Sequence, residues 1–91
     1  MKQHTYSSLV RWTGNTGTGT SGYRDYTRDW DVALPGKPVI SCSNDPLLGG
    51  NPCKMNPEDL LLSALSSCHM LWYLHLASDA GIVVTAYQDT P

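Results

Sequence analysis

The sequence predicts a protein of the α+β class, in which an antiparallel β-hairpin and sheet pack on one long central helix. Three observations lead to this prediction. A long helical stretch occupies residues 57–80, the half before it is rich in glycine and proline and holds short alternating segments, and a β-branched stretch follows the helix. The element order is therefore β-β-(β)-α-β, and residues 1–91 are predicted to form a single domain.

The first half predicts a β-hairpin over residues 4–34. The segment HTYSSLVRW at 4–12 mixes β-branched, aromatic and polar residues, and residues 23–34 alternate partly with a period of two. A Gly/Thr loop at 13–22 joins these two predicted strands. Residues 35–55 predict a loop that begins with a Pro-Gly turn and contains a short edge strand at 37–41.

The Gly/Thr loop contains a formal match to the dinucleotide-binding pattern G-x-G-x-x-G, at Gly17, Gly19 and Gly22. That pattern binds a pyrophosphate only where it opens a helix, whose N-terminus holds the anion. Here a strand-like segment follows the glycines, so the match does not indicate a dinucleotide site.

The central helix is predicted over 57–80 because good start and stop residues enclose it. Asn56 is a favourable N-cap, and Pro57 suits the first helical position because its missing N–H costs nothing there. Gly81 can adopt the left-handed conformation that ends a helix. The β-branched run at 82–89 then predicts a last strand.

The helix is apolar on nearly all sides. At 100° per residue, one broad face carries Leu61, Ala64, Leu65, Cys68, Leu71, Trp72 and Leu76. A chain of 91 residues offers little material to bury such a helix, so either a second subunit covers it or part of the domain is missing. A membrane span is disfavoured because serine, cysteine and histidine residues interrupt the apolar run.

The net charge and the cysteine content exclude several classes of function. The net charge is −2 and no basic cluster occurs, so a nucleic-acid partner is not expected. The three cysteines are Cys42, Cys53 and Cys68, and no hydrophobic leader precedes them, which favours a reducing cytoplasm over a disulfide scaffold. Their spacing lacks a C-x-x-C pair, so no structural metal is expected, and no cofactor motif is present.

Cys68 is the candidate nucleophile, although a helical cysteine is often only a small buried apolar residue. His75 lies about 10 Å further along the helix axis, too far for a catalytic dyad. Glu58 lies about 15 Å away, so it could approach Cys68 only across two antiparallel copies of the helix. Its simpler role is to complement the helix dipole. Arg24 and Arg28 share a face of the predicted second strand; either would favour the thiolate if it lay near Cys68, and either could be a solvated cation instead.

Several segments of the sequence resemble those of a known protein family. The run NPEDLLLSALSSCHMLWYLHLASDAGI resembles the central helix of the OsmC/Ohr family, which begins Asn-Pro-Glu, passes Cys-His or Cys-Phe and ends Ala-Gly-Ile or Ala-Gly-Val. The segments TGTGTSGYRDYTRDWDV and PGKPVISCSNDP resemble its OsmC-like branch, so that the resemblance covers residues 9–91. It implies an OsmC-like α+β fold and an intertwined homodimer, with the central helices back to back and the sheets outside.

The resemblance also implies a thiol-dependent peroxidase that reduces organic hydroperoxides in oxidative or osmotic stress defence. Cys68 would be the peroxidatic thiol, and Glu58 would orient an arginine towards it across the dimer interface, with Arg24 preferred to Arg28. The implied partners are a second copy of the chain, a small apolar hydroperoxide and an external thiol reductant. No cofactor, metal, nucleic acid or membrane is implied.

The sequence departs from the family pattern in two ways. Family members are longer and usually carry a second, resolving cysteine in their C-terminal half, which neither Cys42 nor Cys53 matches. The arginine of the best-known peroxidases follows a glycine in the first hairpin loop, and here that loop has Asn, Thr, Ser and Gly. These departures leave two alternatives: a non-enzymatic OsmC-like binding or structural protein with an inactive cysteine, and a fragment of a longer chain.

Overall fold

A computed structural model describes residues 3–91 in two compact units. The N-terminal unit extends to Pro57, and the C-terminal unit is Glu58–Pro91. The elements are β1 (Leu9–Trp12), β2 (Trp30–Ala33), β3 (Ile40–Cys42), one 3-10 turn (Pro46–Leu48) and α1 (Pro57–Asp79). The single domain predicted over 1–91 stays a prediction, and its first two residues lie outside the described part.

The N-terminal unit is built on a three-stranded antiparallel sheet of order β1-β2-β3. In β1 and β2, Trp12 pairs with Trp30, and β3 joins the other edge of β2, where Trp30 pairs with Cys42. The predicted α+β class, the hairpin and the edge strand are therefore confirmed. The bounds differ from the prediction: β1 begins at Leu9 instead of residue 4, and β3 spans Ile40–Cys42 instead of 37–41. The second strand begins only at Trp30, because its regular pairing with β1 stops where the glycine-rich stretch begins.

Beyond Trp12 the hairpin continues as irregular pairing, and of the strand predicted over 23–34 only Trp30–Ala33 forms. The Thr27 amide donates to the Gly14 carbonyl at 3.0 Å, and Asn15 forms an isolated bridge with Tyr26. A Cβ at Gly14 would collide with the Thr27 carbonyl, so only glycine permits this approach. The Asn15 side-chain oxygen accepts the amide of Gly17 at 3.0 Å and that of Gly19 at 2.9 Å, which orders the tip.

The segment that follows β3 is irregular, as predicted for 35–55, but it is firmly attached to the sheet. Cys42 and Ser43 are fully buried, and the Ser43 amide donates to the Met55 carbonyl at 3.0 Å. Lys54 forms a salt bridge with Asp29 at 3.3 Å. This attachment holds the returning chain beside the end of β2 just before α1 begins.

Helix α1 confirms the predicted central helix to within one residue at its C-terminal end. Glu58 and Asp59 lie in its first turn, where negative charge complements the helix dipole. At the other end Gly81 has φ +76°, the Ile82 amide donates to the Ala77 carbonyl at 2.8 Å, and the Gly81 amide donates to Ser78 at 3.0 Å. These two bonds form a Schellman motif, which satisfies carbonyls that the helix leaves free.

The strand predicted over 82–89 is not formed within residues 3–91. A strand needs a neighbour for its backbone hydrogen bonds, and residues 82–91 pair with no strand of the described chain. Instead the segment lies along α1, with the rings of Tyr73 and Tyr87 5.7 Å apart. Near its end the Ser66 hydroxyl donates to the Asp89 carboxylate at 2.7 Å. The prediction of a strand over 82–89 is therefore wrong for residues 3–91.

Asp29 should make the N-terminal unit sensitive to acid. A hydrogen bond from Ser43 and the charge of Lys54 lower the pKa of Asp29 from its ordinary value of 3.8. The carboxylate therefore stabilises the folded chain above its unfolded-state pKa, and this stability is lost as the pH falls through the lowered folded-state pKa. We expect Asp29→Asn to reduce the unfolding free energy by about 1 kcal/mol at pH 7, since the pair is partly exposed.

Urea unfolding of wild type and Asp29→Asn at a series of pH values between 7 and 2 measures this effect. The difference between the two should be constant above about pH 5 and shrink towards zero in strong acid. Lys54→Gln is the matched control, because it removes the salt bridge and leaves the hydrogen bond of Ser43. A difference that does not change with pH would contradict the assignment.

Candidate functional site

Cys68 lies on the side of α1 that the C-terminal segment leaves uncovered. Ala77 is buried on the side that faces this segment, and Ser66 and Met70 are half-buried there. Cys68 is two positions after Ser66, so it points about 200° away from that covered side. The Cys68 side chain is exposed.

The residues around Cys68 form an apolar surface, which we call the open face. Its members share the helix side of Cys68, and each exposes more than half of its surface: Leu61 64%, Leu65 62%, Leu71 61%, Trp72 66% and Leu76 58%. A soluble domain rarely exposes large apolar side chains in one continuous group without a binding role. The open face is the broad apolar face that the 100° spacing predicts, but in this chain it is not buried.

A shallow groove of about 280 Å³ lies on the open face, about one helical turn beyond Cys68. It is lined by Leu71, Trp72 and His75. The rings of Trp72 and His75 meet edge to face, with their centroids 6.0 Å apart. This contact gives His75 a structural role against the indole, and the groove offers an apolar molecule a place beside the thiol.

Glu58 is exposed in the first turn of α1. On a continuous helix it lies about 15 Å of rise from Cys68, so the two side chains do not meet within one chain. Its position in the first turn is sufficient to explain a carboxylate here as dipole complementation. A role for Glu58 at Cys68 therefore needs a second copy of the chain.

Arg24 lies in the N-terminal unit, near the tip of the hairpin. The Asp25 amide donates to the Gly22 carbonyl at 3.0 Å, which closes a four-residue turn with Arg24 at its third position. Its side chain is exposed and forms no hydrogen bond or salt bridge with residues 3–91. Arg24 therefore has a free guanidinium, but its place relative to Cys68 stays a prediction.

Arg28 does not share a strand face with Arg24, so that expectation was wrong. Both residues precede β2, and the chain between them turns instead of extending. The guanidinium of Arg28 lies 4.0 Å from the centroid of the Tyr23 ring and 4.3 Å from that of Tyr26. Two tyrosines within five residues of an arginine are the sequence feature that could have indicated this arrangement.

The other two cysteines differ in accessibility. Cys42 is fully buried, and burial, helped by the nearby Asp31 carboxylate, raises the pKa of its thiol and disfavours the reactive thiolate. Cys53 is exposed in the loop before α1, and all three cysteines are free. Among residues 3–91 no group of three or more His, Cys, Asp or Glu residues could hold a metal ion.

Helix α1 is long and apolar enough to cross a membrane by length and composition alone. The core helix of a soluble protein passes the same test, so this property is weak evidence for a membrane span.

The sequence and the fold of this chain are similar to those of OsmC-like proteins. The family described as OsmC-like protein matches residues 49–90, which contain both Glu58 and Cys68. An OsmC-like protein of unknown function from Vibrio cholerae has a similar structure, with a TM-score of 0.83 and 28% sequence identity. The match covers 99% of this chain and 59% of that protein, so this chain spans about three-fifths of its length. No curated protein matches the chain.

Proposed function

Because the chain is OsmC-like in the sequence of residues 49–90 and in its fold, we propose that it acts as a thiol-dependent peroxidase. In this proposal Cys68 reduces organic hydroperoxides in oxidative or osmotic stress defence. The observation that carries the proposal is the exposed Cys68 in the middle of an apolar open face. A reactive cysteine must be accessible, whereas a structural cysteine such as Cys42 is buried.

The proposed reaction transfers one oxygen atom to sulfur. The Cys68 thiolate attacks the outer oxygen of the hydroperoxide, the O–O bond breaks, and the leaving alkoxide takes a proton to become an alcohol. Sulfur is oxidised to a sulfenic acid and the peroxide is reduced. A nearby guanidinium would stabilise the thiolate and the charge that develops on the leaving oxygen.

In the proposed cycle an external thiol then reduces the sulfenic acid. Cys42 is not suited to this step, because it is buried and burial raises the pKa of its thiol. An external thiol would attack the sulfenic acid, release water and form a mixed disulfide, and a second thiol would regenerate Cys68. A dithiol reductant supplies both thiols in one molecule.

The surroundings of the thiol favour a hydroperoxide with an apolar body. Leu71 and Trp72 line the groove beside Cys68, and both expose more than half of their surface. Burying such side chains against an aryl or alkyl group contributes roughly 25 cal/mol per Å² of area removed from water. Hydrogen peroxide would gain nothing from this contact, so the proposed substrates are organic.

A homodimer is part of the same proposal. The open face needs a cover, and Glu58 can approach a Cys68 site only from another copy of the helix. Two antiparallel helices that cross near residue 63 would bring Glu58 of one copy opposite Cys68 of the other, because 63 is midway between them. In that arrangement Glu58 would orient Arg24 towards the thiolate. We place the dimer in the cytoplasm, as a soluble protein without nucleic-acid or membrane partners.

The second candidate is a non-enzymatic OsmC-like binding protein. The groove of Leu71, Trp72 and His75 favours it, since the groove could hold a small apolar ligand without any reaction at Cys68. The two functions are separated by whether hydroperoxide is consumed.

Replacement of the proposed peroxidatic thiol tests the function. We expect wild type to consume cumene hydroperoxide in the presence of a dithiol reductant and Cys68→Ser to show only the uncatalysed rate. Cys53→Ser is the matched control, because it removes another exposed thiol, and it should keep the wild-type rate. Folded wild type without turnover, or turnover that survives in Cys68→Ser, would overturn the peroxidase proposal.

The proposed site, in which Glu58 of one copy lies near Cys68 of the other, leads to a separate prediction for Glu58. We expect Glu58→Gln to lower kcat/KM by about tenfold, equivalent to about 1.4 kcal/mol of transition-state stabilisation. Asp59→Asn removes one negative charge from the same helical turn, so it controls for the dipole effect and should change kcat/KM less than about twofold.

Mixed dimers decide whether Glu58 acts on the other subunit. Co-expressed Cys68→Ser and Glu58→Gln chains form heterodimers in which one site combines an intact Cys68 with an intact Glu58. These heterodimers should recover the wild-type rate at that site. A heterodimer of wild type with the Cys68→Ser/Glu58→Gln double variant should not, because its one remaining Cys68 faces the altered residue at position 58. Equal rates for the two heterodimers, or a monomeric protein, would contradict the shared site.

A further inference from the structure

We infer that Arg28 is a positioning residue for the proposed reaction, because it clasps Tyr23 and Tyr26 and thereby fixes the turn that presents Arg24. This inference rests on the proposed function, in which Arg24 is the arginine of the thiolate site. Tyr23, Tyr26 and Arg28 together form the clasp.

The clasp joins the two ends of the short segment that contains Arg24. Arg28 donates from Nη2 to the Tyr23 carbonyl at 2.8 Å and from Nη1 to the Tyr26 carbonyl at 3.1 Å. Its guanidinium also lies over both tyrosine rings, within the range of cation–π attraction. A planar fork can hold two carbonyls while stacking on rings, which a lysine ammonium cannot do in the same way.

The clasp is itself fixed to the sheet. The Tyr26 ring meets Trp12 of β1 edge to face, with the centroids 5.8 Å apart, and the Trp12 indole donates to the Thr27 carbonyl at 2.9 Å. On the other side Gly49 approaches closely, because a Cβ there would lie 3.5 Å from the Tyr23 hydroxyl and 3.6 Å from Nε of Arg28. Arg28 is therefore held between the strands and the 3-10 loop.

A second set of contacts fixes the turn from its other side. The Thr16 hydroxyl donates to the Asp25 carbonyl at 2.6 Å. The Ser21 hydroxyl donates to the Thr18 hydroxyl at 2.9 Å and lies 3.4 Å from the Asp25 carboxylate. A Cβ on Gly22 would meet the Asp25 carboxylate, so this side chain would have to move aside for a larger residue. Arg24 thus extends from a backbone that is held before and after it.

The two arginines therefore have separate roles. Two donors of Arg28 are engaged by carbonyls, and its side chain is half-buried. Arg24 keeps all its donors available among residues 3–91. Loss of the clasp should displace Arg24 without removing it, and small displacements of a group that stabilises charge reduce rates strongly.

Arg28→Lys tests the inference, with Arg11→Lys in β1 as the matched control for an arginine-to-lysine change in the same unit. Three properties of the purified protein are measured: the initial rate of tryptic cleavage after Arg24, the rate of Cys68 alkylation by iodoacetamide at pH 7, and kcat/KM for cumene hydroperoxide. We expect Arg28→Lys to speed the cleavage, slow the alkylation and lower kcat/KM by about tenfold. Arg11→Lys should change none of them.

A double-variant comparison shows whether Arg28 acts through Arg24. In an Arg24→Ala background, Arg28→Lys should lower kcat/KM no further, since the residue being positioned is gone. A further drop by the same factor would assign Arg28 a direct role and overturn the inference, as would an Arg28→Lys variant that matches Arg11→Lys. If folded wild type consumes no hydroperoxide, the proposed function and the positioning role both fail. If wild type consumes hydroperoxide normally and Arg28→Lys does so at the same rate, only the positioning role fails.

Discussion

The open face of α1 is the constraint on which the rest of the structure depends. Its five large side chains would each contribute about 1.5–3 kcal/mol on full burial, of order 10 kcal/mol together. Association costs an estimated 4–15 kcal/mol, so covering this face can offset that cost without other strong contacts. The same face carries Cys68, which means that whatever covers the helix also builds the surroundings of the thiol. Stability and the proposed chemistry are therefore linked through one surface.

The glycine-rich hairpin extends from a small sheet and presents the free side chain of Arg24 near its tip. Regular pairing ends at Trp12 and Trp30, and beyond them the chain is held by particular contacts. Gly14 allows a backbone approach that no other residue permits, and Arg28 uses its planar fork to hold carbonyls on both sides of Arg24. Individual residue contacts therefore order this part of the hairpin. They leave the Arg24 guanidinium free near the tip.

The sequence predicted what local rules decide. Asn56-Pro57 and Gly81 located the helix to within one residue, and the 100° spacing placed Cys68 in the middle of an apolar face. It failed where individual side-chain contacts or a neighbouring strand decide. Residues 23–29 alternate like a strand, but the clasp and the glycine tip bend them, and residues 82–89 have strand-forming residues but no neighbouring strand among residues 3–91. In the proposed site, the meeting of Glu58, Arg24 and Cys68 would depend on a second chain, which no pattern within one chain can establish.

Trapping the oxidised thiol is the most direct test of Cys68 as the peroxidatic residue. The folded protein is treated with one equivalent of cumene hydroperoxide in the presence of dimedone, which alkylates sulfenic acids, and the modified peptide is identified by mass spectrometry. A single adduct on Cys68, absent without hydroperoxide, is the expected result. Oxidation of Cys53 with Cys68 unmodified, or no adduct at either residue while the hydroperoxide remains intact, would contradict the assignment.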